Sequence, residues 1–290
     1  MGKVLLDGLG LKSEKIISVE KLEPFLQQVS SQYLTTTLYH NSLHGSDVTH
    51  TTSLFFLNSN AEKLIETNVL DLLSIIISSL GHDIGHPGLT NNYHINALTE
   101  LAITYNDISC LENFHLSKLF RTIRNDQTNI FEKLSIKDYK TIRKRMISEI
   151  LATDMANHKK IMAPIQAKVP QEGKQIDKYT FLSGDEKTKF DEQQSLLDYF
   201  IHAADLGHNT KKFEFSIKWV ELLSEEFWLQ GDKERAMGLP ISFLCDRNNS
   251  NIPSSQVGFI GVFIIPTYNY VISIFPSLSY TIENAKKNLN

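Results

Sequence analysis

Only two of the 290 residues are cysteine, Cys110 and Cys245, and they lie far apart in the chain. That scarcity excludes a disulfide framework and fits a reducing, intracellular setting, so a cytoplasmic protein is expected. An excess of basic charge is missing too. Lys and Arg total 29 against 33 Asp and Glu, a net charge of -4, which gives no electrostatic basis for binding nucleic acid or an anionic membrane. The opening MGKVLLDGLGLKSEK lacks a long apolar run, and Leu6 stands where a myristoylation signal needs Ser or Thr. One stretch, VGFIGVFIIPTYNYVISIF from Val257, is apolar enough to raise a transmembrane question. Pro266, Asn269 and two tyrosines interrupt it, so buried helices of a soluble protein are expected there. Internal repeats and low-complexity segments are absent, and strand signals are sparse.

What is present is helical periodicity. Leu22, Phe25, Leu26, Val29 and Tyr33 mark a core-facing helix over Glu20 to Leu34, and Ile142, Met146, Ile150 and Leu151 mark another. Between Lys159 and Phe190 a polar stretch with two prolines and two glycines reads as a surface loop. The expected architecture is all-α, one compact domain over residues 1–290, with polar groups drawn into one site from several helices.

The chemistry concentrates in GHDIGHPGLTN. His82 and His86 are four apart, which puts their rings on one face of a helix, and Asp83 adds a hard oxygen donor. Pro87 and Gly88 place the motif at a helix end opening into a loop. VLDLLSIIISSL ahead of it, with Leu72, Ile76 and Leu80 at i, i+4 spacing, reads as a buried helix delivering the motif. Such a set suits a divalent metal that activates water, while a core histidine pair satisfied by hydrogen bonds is the plainer alternative.

YHNSLH adds a second i, i+4 pair, His40 and His44, beside Tyr39. In YNDISCLENFH, Asp107 and His115 read as capping or cross-linking groups, and Glu112 as a carboxylate orienting a metal-site histidine. Asp205 extends the apolar face of Leu197 and Ile201, so it should be paired or bind metal. Trp219, Leu223, Phe227 and Phe259 offer apolar walls, and Gln256 carries a donor and an acceptor, a combination suited to a flat heterocycle.

With YHNSLH, GHDIGHPGLTN, YNDISCLEN, ILATDM, HAADL, EEFWLQGDKE and SQVGF in order, the chain from about Lys15 onward resembles the catalytic domain of the class I cyclic nucleotide phosphodiesterases. QGDKERAMGLP and His208 lean towards the calmodulin-stimulated branch, although no basic amphipathic calmodulin target precedes the matching part. The resemblance implies an all-α fold of the HD type that hydrolyses cAMP, cGMP or both to nucleoside 5′-monophosphates. It implies His44, His82, Asp83 and Asp205 as ligands of a tight metal, usually zinc. Asp83 would bridge to a second ion, magnesium or manganese, with His86 hydrogen-bonding around it. It also implies His40 as the general acid for the 3′ oxygen, Gln256 reading the purine, Phe259 stacking on it, and His208 contacting the base. Asp205 would lie near the bridging water, and Asp83 and Asp205 would both contact the substrate. His50 stands for the usual Gln, Phe114 for His, Gly45 for Ala and Asn209 for Pro, and the N-terminal helical part is shorter than usual.

Two other readings compete. HDIGH has the histidine spacing of the zinc peptidase motif, but Asp is short for the base and Pro87 interrupts the helix. A cyclic nucleotide sensor without turnover would have no need of His40.

Overall fold

The computed structural model describes residues 16–171, 176–182 and 184–289; the N-terminal segment read above falls outside them. Helices of eight residues or more are labelled in chain order: α1 (Val19–Gln32), α2 (Ser42–Leu57), α3 (Val69–Gly81), α4 (Cys110–Arg124), α5 (Ile136–Leu151), α6 (His158–Gln166), α7 (Glu186–Asp205), α8 (Phe213–Ala236), α9 (Ile252–Phe259), α10 (Ile265–Ile274) and α11 (Ser279–Leu289). Among the described residues there is no strand. The all-α expectation holds.

The central element is α3. Asn68 and Asp71 form a capping box at its start, and every residue from Asp71 to Gly81 is buried. It packs against α2 on one side and α5 on the other. Its buried serines are satisfied: Ser74 and Ser78 donate to Glu149 of α5 at 2.7 and 2.6 Å. Arg145, also on α5, donates to Asp71 at 3.0 Å and to Gln193 and Gln194 of α7 at 2.9 and 3.2 Å. These bonds lock together the helices that deliver His82 and Asp205.

Two expectations need correction. Part of the polar stretch after Lys159 is α6, which buries Ile161, Met162 and Ile165 under a polar outer face. The apolar run from Val257 forms part of a continuous helix, Ile252–Ile274, because a π-helical turn over Ile260–Ile264 joins α9 to α10 and absorbs Pro266 near the start of α10. That helix is long and apolar enough to cross a membrane, and a third of its apolar window is buried. Ile260, Ile264, Tyr268 and Val271 face the core, while Val257 and Val262 are exposed.

Candidate active site

Neither histidine pair owes its geometry to helical spacing. Asn41 is the N-cap of α2, its side chain accepting from the Leu43 and His44 amides, so His40 lies before the helix and His44 inside it. At the other motif α3 ends at Gly81, and Gly85 takes a φ of +79° that a side chain resists. The chain therefore turns between His82 and His86 and sends the two rings to different places.

His44 and His82 converge with Asp83 and Asp205. His44 Nε2 lies 3.0 Å from Asp205 Oδ1 and 3.4 Å from Asp83 Oδ2. His82 Nε2 lies 3.2 Å from Asp83 Oδ2, 3.3 Å from Asp205 Oδ1 and 3.3 Å from His44 Nε2. Ligand bonds of about 2.0–2.1 Å in a tetrahedron would separate donor atoms by about 3.3 Å, so this donor set fits one small divalent ion. His82 Nδ1 donates to the Ser79 carbonyl at 2.9 Å, which turns Nε2 towards the cluster, where, against the effect of burial, Asp83 and Asp205 hold it protonated until an ion takes that proton's place. Burial alone would raise the Asp83 and Asp205 carboxyls. The histidines beside them, His82 for Asp83 and His44 with His82 for Asp205, hold both below the usual carboxylate range.

His40 stands next to this cluster but is claimed by Glu226. Its Nδ1 forms a short hydrogen bond to Glu226 Oε1, and Glu226 Oε2 accepts from the Tyr39 and His40 amides at 2.8 and 3.2 Å. Burial would lower the His40 imidazole, but the Glu226 carboxylate outweighs it and raises the ring to about 9. Glu226 is 186 positions away on α8, and no spacing in the sequence links the two.

His86 stacks on His40 at 4.0 Å, with His115 behind it at 5.6 Å. His115 does cross-link α4 to the turn after α3, and it also reaches the site. It is buried, its Nδ1 donates to the Ile84 carbonyl at 2.9 Å, and its Nε2, without a hydrogen-bond partner, lies 3.7 Å from Asp83 Oδ1. Asp83, His86 and His115 form a second group of potential ligands. Glu112 does not orient a histidine. It lies one turn earlier on α4 and accepts from the Asn91 amide at 2.9 Å, facing the cavity, where burial and Asp154 push its carboxyl up to about 7. Asp107 lines the cavity, and its amide closes the end of the short helix Glu100–Tyr105 by donating to the Ala102 carbonyl at 3.1 Å.

The cavity holds about 650 Å³ and is lined by His40, Asp83, His86, Asp205, His208, Leu223, Phe227, Gln256 and Phe259, among others. Trp219 is not among its walls. It packs edge-on to Tyr39 at 5.4 Å and His44 at 6.1 Å, bracing the ligand side from behind. The side-chain Oε1 of Gln256 is buried without a hydrogen-bond partner.

The family model for 3′,5′-cyclic nucleotide phosphodiesterase matches residues 39–285, a span that contains all of these groups. The chain belongs to this phosphodiesterase family. It is 38% identical over 244 residues to the 3′,5′-cyclic-AMP phosphodiesterase isoform F of Drosophila melanogaster, covering 84% of this chain and 36% of that protein. It is 36% identical over 236 residues to the dual specificity calcium/calmodulin-dependent 3′,5′-cyclic nucleotide phosphodiesterase 1B of Mus musculus, covering 81% of this chain and 41% of that one. The chain thus spans less than half the length of these relatives. Among solved structures, the phosphodiesterase domain of Salpingoeca rosetta rhodopsin phosphodiesterase is similar at a TM-score of 0.88 and 31% identity, over 99% of this chain and 84% of that one. A phosphodiesterase fold leaves no place for the zinc peptidase reading.

Proposed function

We propose that this chain is a single catalytic domain that hydrolyses 3′,5′-cyclic nucleotides to nucleoside 5′-monophosphates with the help of divalent metal. The observation that carries this reading is one cavity onto which Asp83 and Asp205 of a four-donor metal cluster open beside a histidine kept protonated by Glu226. A divalent cation held by His44, His82, Asp83 and Asp205 would supply positive charge that lowers the pKa of water and offsets charge on the phosphoryl oxygens. The mixed nitrogen and oxygen donors favour zinc there. A second ion near Asp83 would meet a single hard oxygen donor there, which favours magnesium or manganese retaining most of its own water.

The chain's own residues do the rest. As water oxygen adds to phosphorus and the bond to O3′ breaks, the departing oxygen needs a proton. His40 holds one: Nδ1 is committed to Glu226, which leaves Nε2–H for the leaving group. His86, whose pKa burial and the neighbouring His40 charge hold well below the usual range, stays neutral and packs His40 in place. Phe259 and Phe227 line the cavity with rings for the base, and Gln256 carries both a donor and an acceptor to read it, which suits cAMP, cGMP or both. Two buried, unpaired cysteines support assignment to the reducing cytoplasm. The deciding experiment measures hydrolysis of both nucleotides with and without chelator. No turnover of either by metal-loaded protein would refute the proposal.

A further inference from the structure

His208 lines the cavity, and its ring is buried with Nδ1 lacking any hydrogen-bond partner. The other ring nitrogen is taken. The side-chain amide of Asn209 donates from Nδ2 to His208 Nε2 at 3.1 Å. Asn209 is itself fully buried. A neutral imidazole accepts through one nitrogen and donates through the other, so a donor at Nε2 assigns the ring proton to Nδ1. Burial, with the nearby His44, holds His208 far below the ordinary histidine range, to about 3, so no second proton joins it.

The turn that aims Asn209 is fixed by the last helix. Asn288 Nδ2 donates to the carbonyls of Asn209 and Lys211, both at 2.9 Å, and Asn284 Nδ2 donates to the Thr210 carbonyl at 3.0 Å. On the inner side Gly207 sits so close to Thr51 that a Cβ there would lie 3.2 Å from its methyl group. The side chain of Asn209 therefore has little freedom to leave Nε2.

We propose that Asn209 is a positioning residue for substrate recognition, donating to Nε2 so that His208 presents a neutral Nδ1–H to a hydrogen-bond acceptor on the purine. This rests on the cyclic nucleotide reading above and sharpens it. Gln256 offers a donor and an acceptor, whereas His208 in this tautomer offers a donor alone. A buried N–H without an acceptor is costly, and here the cost is relieved when a ligand brings one. A proline, usual at this position in the family, has no side chain able to set the tautomer.

The test begins with the ligand-free, full-length chain. Ring ¹⁵N spectroscopy, with His208 assigned by its missing signals in His208→Asn, should show Nδ1 protonated and Nε2 bare. The reverse pattern overturns the proposal. Asn209→Asp, which only accepts, should move the proton to Nε2, raise KM about tenfold and leave kcat within about twofold. Asn209→Leu, of similar size and without a donor, should fall between. A folded Asn209→Asp protein with the proton moved and KM unchanged would also overturn it. Should both variants fail to fold, the wild-type spectrum still decides. Failure of the wild-type protein to hydrolyse cAMP or cGMP would sink the cyclic nucleotide reading, whereas the spectrum tests Asn209 without any substrate.

Discussion

The hydroxyl oxygen of Tyr33 lies 2.6 Å from where a Cβ at position 45 would sit, with the adjoining ring carbon at 2.9 Å, so the tyrosine fills the room that Gly45 leaves. The same hydroxyl donates to the Leu80 carbonyl at 2.9 Å. One side chain thereby braces the helix carrying His44 against the end of the helix that delivers His82. Gly45 departs from the family's usual Ala, and Tyr33 is the physical reason it must.

Gly45→Ala should therefore destabilise the protein by about 1–3 kcal/mol, since overpacking outweighs the better helix propensity of Ala. In the double variant with Tyr33→Leu the cost of the added methyl should largely vanish. A denaturation double-mutant cycle reads the coupling. Strict additivity would show that Tyr33 does not oppose the methyl.

Asp205→Ala and His82→Ala each remove one of four donors, five of whose separations fall between 3.0 and 3.4 Å. Both variants should lose turnover and bound metal together. Because an ion bound only by the folded state adds to its stability, chelator should lower the Tm of the parent far more than that of either variant. Wild-type metal content in both, by elemental analysis, would remove these residues from the ligand set.

The His40–Glu226 pair predicts a pH profile. Glu226 raises His40 from its ordinary 6.5 to about 9, so His40 carries its proton at neutral pH and loses it as pH rises through about 9. A step that needs the proton should show its alkaline limb there. Glu226→Gln removes the charge that holds the proton, and the limb should move down towards 6.5 while kcat at pH 8 falls. His40→Ala should lower kcat by about 10²–10⁴ on cyclic nucleotide and less on an activated aryl phosphodiester, whose leaving group departs unprotonated. An alkaline limb unmoved in Glu226→Gln would assign that limb to another group.

How much of this was legible beforehand depends on distance along the chain. The buried helix before His82 and the loop opening after it follow from the local pattern, and α3 ends one residue before the histidine. Asp205 stood out as a carboxylate on an apolar helical face and His44 as part of a second histidine pair, and the resemblance joined them to His82 and Asp83 as one ligand set. Glu226 and His115 were missed for one reason: each is a buried polar residue on an amphipathic helix, and such residues also serve as core cross-links. Their partners, His40 and Asp83, come from other elements. Spacing also misled. Both HxxxH pairs look helical, yet Asn41 starts a helix inside one and Gly85 turns the chain inside the other.

The buried carboxyl of Glu149 should leave a signature in stability. It lies between Ser74 and Ser78 of α3, and burial pushes it from the ordinary 4.5 up to about 8. The native state thus keeps a proton that the unfolded chain releases above 4.5. Between those values unfolding gives up a proton, so this group makes the unfolding free energy fall as pH rises, by at most about 1.4 kcal/mol per unit, and the fall levels off above about 8. Asp198, raised by burial to about 6 beside Ser148 and Gln194, acts in the same direction over a shorter span. Glu149→Gln imitates the neutral acid, because a serine hydroxyl can rotate to accept from the new amide. Relative to the parent, the variant should gain stability steadily from pH 5 to pH 8 in denaturant titrations, with its metal content unchanged. Parallel curves over that range would mean that Glu149 carries the same charge folded and unfolded, and that Arg145, 1% exposed on the same helix, neutralises an ionised carboxylate instead.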